Sequence, residues 1–449
     1  MSNCERTLRI SKNGPPLRIV IIGANFAGLT TAINLPRKYR VNVIDCRPQF
    51  EFLPNIHELL SGIKKTDSLR MDRKRLIELA GHRFIGDTVT TIDPEKKKVY
   101  TSGHKRMPYD ICVVAVGGVN NTSGIAGAAK FGLPFKSVDQ CQNIARRLKA
   151  LSYRKDRSSV VIVGGGLEGV EALGEILRRY RRHPDLEIHL IENRKRLLAN
   201  RPKALDRNIR KVCKPYQVRF HTDTRVTKMA RNKVWLSSRV TLDSDATIWT
   251  GGAIPPPLLH KSGLTEHRGD WAPVNTSLQS TYYDSIFIAG DVAEWPGLRG
   301  KQAYDAMDMG KCVAQNIKLL STGDDLKEFR PASKPTVISF GDLQTYVIMG
   351  NIAVAGPLFA GAKEGIFQAT MAKFDPPSGL TSAINFCNRT SESIFNLAIP
   401  TLTSFSSLRR LAQVQFLSRM KLAASNWNFP MNFLQTRWCK ILLMAACGI

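Results

Sequence analysis

Apolar and polar positions along the chain fall into short blocks that name their own elements. Residues 18–35, RIVIIGANFAGLTTAINL, open with four β-branched residues, Ile19, Val20, Ile21 and Ile22. They then pass through a glycine turn into a small-residue run of helical character. An unbroken apolar block bounded by a turn predicts a strand buried on both faces. RVNVID follows as a second strand, ending at Asp45. The same grammar returns in SVVIVGGGLEGVEALGEI and then LEIHLIE, which ends at Glu192. YDICVVAVGG (109–118) and SIFIAGDVA (285–293) predict two more buried strands, closed by turns at Gly117 and at Gly290-Asp291. Near the end, TYVIMG and IAVAG alternate around Gly350-Asn351, which predicts a hairpin.

Glycine spacing turns two of these blocks into candidate chemistry. In the first, Gly23 permits a tight turn and Gly28 lets the helix pack on the strand, while Asn25 stands at the middle glycine position. The second has the full spacing at Gly164, Gly166 and Gly169. A strand, a glycine turn and a helix N-terminus together present free N–H groups and a positive dipole to a pyrophosphate. Asp45 lies 17 residues after Gly28 and Glu192 lies 23 after Gly169, where an acid accepts hydrogen bonds from ribose hydroxyls. Two such turns, about 140 residues apart, imply two dinucleotides. A flavin and a nicotinamide, placed so that hydride passes between them, are the pair that fits. Asp291, at the end of its strand, is placed to bond a flavin's ribityl chain.

Composition narrows the setting. The chain has 449 residues, 65 Lys+Arg against 37 Asp+Glu, and a formal charge of +28. Hydrophobic residues make up 43%, so the chain folds, and its length predicts two or three domains. The positive field favours phosphate-rich surfaces, or serves solubility alone. A run of basic residues from Arg178 to Arg219 reads as a solvated face, an anionic-lipid surface or a nucleic-acid surface; no base-stacking aromatic pattern supports the last. Nine cysteines lie scattered without a CxxC pair, and the first residues hold no apolar signal core, so a reducing compartment is expected. No run of 20 strongly apolar residues predicts a membrane-spanning helix.

With these residues in view, the chain resembles the two-dinucleotide-binding-domain flavoproteins, and among them the type II NADH dehydrogenases, single-subunit NADH:quinone oxidoreductases. The resemblance covers about residues 17–320. It is carried by GANFAG, FLPNIHELLSG (52–62), AVGG, GGGLEGVEALGEI, IWTGG (248–252) and IAGDVA. It implies that Gly23, Asn25, Gly28, Asp45, Gly117, Asp291 and Ala303 hold FAD. It assigns Gly164, Gly166, Gly169 and Glu192 to NAD(H), with Gly252 a further cofactor-binding position, and makes Glu171 the catalytic candidate. One departure is AYDAMDMG (303–310), with Tyr304 and Asp308 where the family carries glutamines on the quinone side. The other is the missing CxxxxC pair, which speaks against disulfide reduction. Sulfide:quinone reductases also resemble the chain, with Cys141 and Cys387 as candidate thiols, as do apoptosis-inducing-factor-like flavoproteins.

The expected fold is α/β, with two Rossmann-like dinucleotide-binding domains, the NAD(H) domain inserted in the FAD domain, and a C-terminal hairpin and basic helical tail. Boundaries fall at 1–17 (tail), 18–125 (FAD domain, first part), 126–252 (NAD(H) domain), 253–330 (FAD domain, second part) and 331–449. The expected function is hydride transfer from NADH through FAD to a quinone-type acceptor; the rival is a basic flavoprotein without turnover. Residues 393–449 carry six basic residues and no acid. Phe405, Leu408, Ala412 and Phe416 recur there at helical spacing. Such a tail suits an interfacial anchor on an anionic membrane or a homodimer contact, and a cytoplasmic protein peripheral on the inner membrane face is expected.

Overall fold

The computed structural model describes residues 15–122, 124–154, 156–296, 301–332, 334–356 and 359–375. In chain order the elements used below are β1 (Arg18–Ile22), α1 (Phe26–Asn34), β2 (Arg40–Asp45), β3 (Arg83–Gly86), β4 (Ile111–Val114) and β5 (Leu133–Pro134). Next come β6 (Ser158–Val163), α2 (Leu167–Tyr180), β7 (Leu186–Ile191), α3 (Lys203–Cys213), β8 (Val218–His221) and β9 (Ala246–Trp249). The last are β10 (Ile286–Ile288), α4 (Ala303–Thr322), β11 (Thr336–Phe340), β12 (Gln344–Met349), β13 (Ile352–Ala355) and α5 (Phe359–Phe374). They divide between two compact units. Unit 1 is built from residues 1–54, 67–121 and 252–333, and unit 2 from 55–66, 122–251 and 334–449.

Unit 1 is organised by a parallel sheet in the order β10-β4-β1-β2-β3. Ile19, Val20 and Ile21 have no exposed surface, so the apolar block is covered on both faces, as parallel strands require. Helix α1 packs on α4 at close range. A Cβ on Gly310 would stand 2.4 Å from the Ala27 carbonyl oxygen, and the Thr31 hydroxyl donates to the Gly310 carbonyl at 3.2 Å.

Unit 2 repeats that architecture, with the parallel order β5-β9-β6-β7-β8. It then adds an antiparallel sheet, β11-β12-β13, which the hydrophobic pattern foreshadows only in its last two strands. Met349 pairs with Ile352 across Gly350-Asn351, and Gly350 takes a φ of +57°, so the hairpin lies where the alternation predicts it. Its partner strand, β11, is nearly all buried and has no alternation to betray it.

This sheet meets α2 backbone to backbone. A Cβ on Gly174 would stand 2.6 Å from the Gly341 nitrogen, and one on Gly341 would stand 2.2 Å from the Gly174 carbonyl oxygen. Two glycines facing each other let the helix approach closely enough for the Ser339 N–H to reach a side chain of α2. Residues 376–449 lie outside the described residues, and with them Cys387 and the expected interfacial tail. Among the described residues, no helix is long and apolar enough to cross a membrane. Gly174→Ala is expected to cost about 1–3 kcal/mol through overpacking and to lower the thermal unfolding midpoint; an unchanged midpoint would show that the contact yields freely.

Candidate functional site

The two glycine turns are built alike, bond for bond. Gly23 N–H donates to the Ile44 carbonyl at 2.8 Å, and Gly164 N–H to the Ile191 carbonyl at 2.8 Å. Both glycines have positive φ, +91° and +109°. A Cβ on either would collide with the neighbouring strand's extension, at 2.4 Å from the Ala115 oxygen or 2.6 Å from the Thr250 oxygen. Gly28 and Gly169 each bring their helix over the turn, since a Cβ there would lie 1.8 Å from the Gly23 or Gly164 oxygen.

The two acids are also used alike. Asp45 accepts from Ala24 N–H (2.8 Å) and Arg47 N–H (2.9 Å). Glu192 accepts from Gly165 N–H (2.7 Å) and Arg194 N–H (2.8 Å). Each therefore braces its own turn while leaving lone pairs for another donor. Asp45 additionally pairs with the buried Arg73 at 2.6 Å. Gly117 and Gly252 follow the equivalent strands β4 and β9, with φ of +64° and +90°. A Cβ at Gly117, Gly166 or Gly252 would meet nothing within 4 Å, so the backbone borders open space at these positions. A cradle of turn N–H groups, an anchored acid and bare backbone fits a dinucleotide.

Asn25 marks a difference between the turns. Its side-chain amide exchanges hydrogen bonds with the backbone of Glu51, 3.3 Å each way, and so ties the turn to the neighbouring segment of unit 1. Asp291 follows Gly290, whose φ is +79°, and its carbonyl accepts from Lys301 Nζ. Ala303 is the first residue of α4. Beside it, burial pushes the Tyr304 phenol up to about 12. Asp308 pairs with Lys311 one turn on, at 3.6 Å. Cys141 is fully buried.

Glu171 lies on α2 in unit 2, within a buried cluster of ionisable side chains. Its Oε1 accepts from Lys363 Nζ at 2.7 Å and from Ser339 N–H at 3.1 Å. Its Oε2 lies 3.6 Å from His57 Nδ1. Lys64 Nζ pairs with Glu364 at 2.8 Å and with Glu58 at 3.9 Å. Glu175 accepts from the Ser61 hydroxyl and lies 3.1 Å from Arg178. Burial raises the Glu171 carboxyl, with Lys363 pulling the other way, and raises Glu364 for the same reason. Burial pushes Glu175 up to about 7. His57 is held neutral, well below the usual imidazole range, by burial and by Lys363, Arg178 and Lys64. In this cluster four carboxylates face three cations, so charge balance calls for one bound proton. Glu175 is the group placed to hold it near neutral pH.

Of this cluster the sequence pattern singles out Glu171, and Arg178 only as the start of a basic run; it does not single out His57, Glu58, Lys64, Glu175, Lys363 or Glu364. The usable signal was a Lys-Glu pair set among apolar residues in FAGAKEGIF, and the charged residues inside FLPNIHELLSG and its flank. The basic run from 178 is only partly a solvated face: the Arg178 side chain is 9% exposed and faces Glu175, and Arg196 donates to the carbonyls of Leu198, Ala199 and Arg201.

A family model described as pyridine nucleotide-disulphide oxidoreductase matches residues 17–310. The chain belongs to that family. Like the rest of this oxidoreductase family, it binds FAD and NAD(H). It is 26% identical over 359 residues to demethylphylloquinone reductase NdbB of Synechocystis sp., covering 76% of this chain and 88% of the relative. It is 24% identical over 381 residues to the type II NADH:quinone oxidoreductase of Staphylococcus aureus, covering 78% and 94%. Two solved structures share the fold. One is sulfide:quinone oxidoreductase from Aquifex aeolicus, with TM-score 0.71, 19% identity and coverage of 80% and 91%. The other is NDH2 from Plasmodium falciparum in complex with NADH, with TM-score 0.71, 16% identity and coverage of 87% and 99%.

The Glu175 proton gives this family member a pH signature. Between about 4.5 and 7 the folded state keeps a proton that the unfolded chain releases, so stability falls as pH rises through that window. Up to ~3 kcal/mol is lost above it. Glu175→Gln removes the titration, so its melting temperature should fall less between pH 5 and pH 8 than that of wild type. Parallel pH profiles would refute the assignment.

Proposed function

We propose that this protein oxidises NADH through FAD and passes two electrons to a quinone-type acceptor at a membrane surface. The observation that carries the reading is the duplicated turn, with the same backbone bonds and the same acid brace at Gly23–Asp45 and Gly164–Glu192. In it, Gly23, Asn25, Gly28, Asp45, Gly117, Asp291 and Ala303 hold FAD, and Gly164, Gly166, Gly169, Glu192 and Gly252 hold NAD(H). The likeness to the Staphylococcus aureus enzyme, named for NADH and quinone, supports the choice of donor and acceptor. Bound flavin supplies the two-electron carrier.

The chain's own residues orient and supply protons. The helix N-termini of α1 and α2 and the turn N–H groups bind pyrophosphates. Quinone reduction needs protons as well as electrons, and Glu171 is the carboxylate that takes one up and releases it, with Lys363 Nζ beside it. Burial, opposed by that ammonium, raises its proton affinity above that of an ordinary carboxylate. Glu192 favours NADH, because its charge repels a 2′-phosphate; Arg194 and Lys195 stand exposed just beyond it.

An anaerobic titration tests the whole reading. NADH should bleach the yellow flavin and a quinone analogue should restore the colour; a colourless protein that takes up no flavin would end the proposal. Glu171→Gln should lower quinone-dependent kcat roughly a hundredfold while leaving the NADH-driven bleaching step in place. For cofactor choice, kcat/KM for NADH should exceed that for NADPH by roughly tenfold or more, and equal use of both would remove Glu192 from the role.

A further inference from the structure

Lys363 Nζ stands 2.7 Å from Glu171 Oε1 and 3.2 Å from His57 Nε2, while His57 Nδ1 stands 3.6 Å from Glu171 Oε2. Three parts of unit 2 thus close a ring: the 55–66 segment, α2 and α5. An ammonium has only protons to offer, so the imidazole nitrogen facing it must accept. The imidazole proton is then on Nδ1, turned toward Glu171. His57 is 2% exposed and Lys363 8%, so neither has bulk water as a ready substitute partner.

The ring holds Lys363 with two acceptors of different kinds, one that loses its charge and one that does not. While Glu171 is ionised, both act. Once Glu171 takes a proton, the Coulombic attraction disappears; its carbonyl oxygen still accepts, but the imidazole nitrogen is then the stronger acceptor. A lysine on a flexible stem, left with only a neutral carboxyl as acceptor, is held there weakly and turns away from it.

We propose that His57 is a positioning residue that keeps Lys363 at Glu171 in both protonation states of that carboxyl, so that Glu171 releases its proton again readily. The proposal rests on the reading of Glu171 as the proton-holding group. Its sign follows from the two states. Without the imidazole, Lys363 still pairs with ionised Glu171 but relaxes away from the neutral form, which lowers the energy of that form alone. The proton affinity of Glu171 therefore rises. The other charged groups facing the ring are Glu58 and Lys64 on the 55–66 segment, Arg178 and Glu175 on α2, and Glu364 on α5. The Ser339 N–H faces it from β11. All of these are common to the variants compared.

The test is an infrared pH titration of the purified flavoprotein, following the C=O stretch of protonated Glu171, assigned by its absence in Glu171→Gln. His57→Leu should move the midpoint up by about one pH unit. His57→Gln, which keeps a carbonyl acceptor for Lys363 and an N–H for Glu171, should return it close to wild type. An unmoved or lowered midpoint in His57→Leu, or an equal rise in both variants, overturns the proposal. Should His57→Leu fail to fold, nitrogen-15 NMR of the wild-type imidazole decides. The Nδ1–H tautomer, with Nε2 accepting, is expected; the Nε2–H tautomer or an imidazolium overturns the proposal. Neither measurement uses NADH or quinone, so a failure of turnover and a failure of this role are read separately.

Discussion

A carboxylate taken out of water costs several kcal/mol unless cations and donors replace the lost solvent, and unit 2 takes four of them inside one cluster. That demand shapes what surrounds them. Lys363 must reach Glu171, Lys64 must serve both Glu58 and Glu364, and Arg178 must stand beside Glu175. Arg178 serves Glu175 from the same helix, but Lys363 reaches Glu171, and Lys64 reaches Glu364, only when α5 docks. The packing of α5, α2 and the 55–66 segment is therefore tied to electrostatics as much as to apolar burial.

The docking depends on glycine at two levels. Gly169 brings α2 onto its own turn, and Gly174 brings the same helix onto the turn after β11. Between these two contacts lies Glu171. One helix is thus pinned along its length by the nucleotide turn on one side and the added sheet on the other, with the acid held between fixed points.

Much of the nucleotide-binding architecture was legible because its determinants are local. A four-residue apolar block, a glycine that needs positive φ and an acid at the end of the next strand sit within about 30 residues of one another in each copy. The hairpin at Gly350-Asn351 was legible for the same reason. The cluster was not, since His57, Glu171 and Lys363 come from segments more than a hundred residues apart, and no periodicity links them. Single charged residues in apolar surroundings are ambiguous until their partners are seen. Asn25 stands at the middle glycine position of its motif, and nothing in the pattern foretells that its amide engages the Glu51 backbone. Strand β11 escaped because burial on both faces erases alternation.

Glu171 and Lys363 come from different parts of unit 2. Glu171 belongs to the repeated nucleotide fold, while Lys363 arrives with the segment added after residue 334. A change confined to that segment alters the surroundings of Glu171 while leaving the determinants of both glycine turns in place. In such an arrangement the surroundings of a buried carboxyl are set from the C-terminal side of the chain, and each glycine turn from within its own repeat.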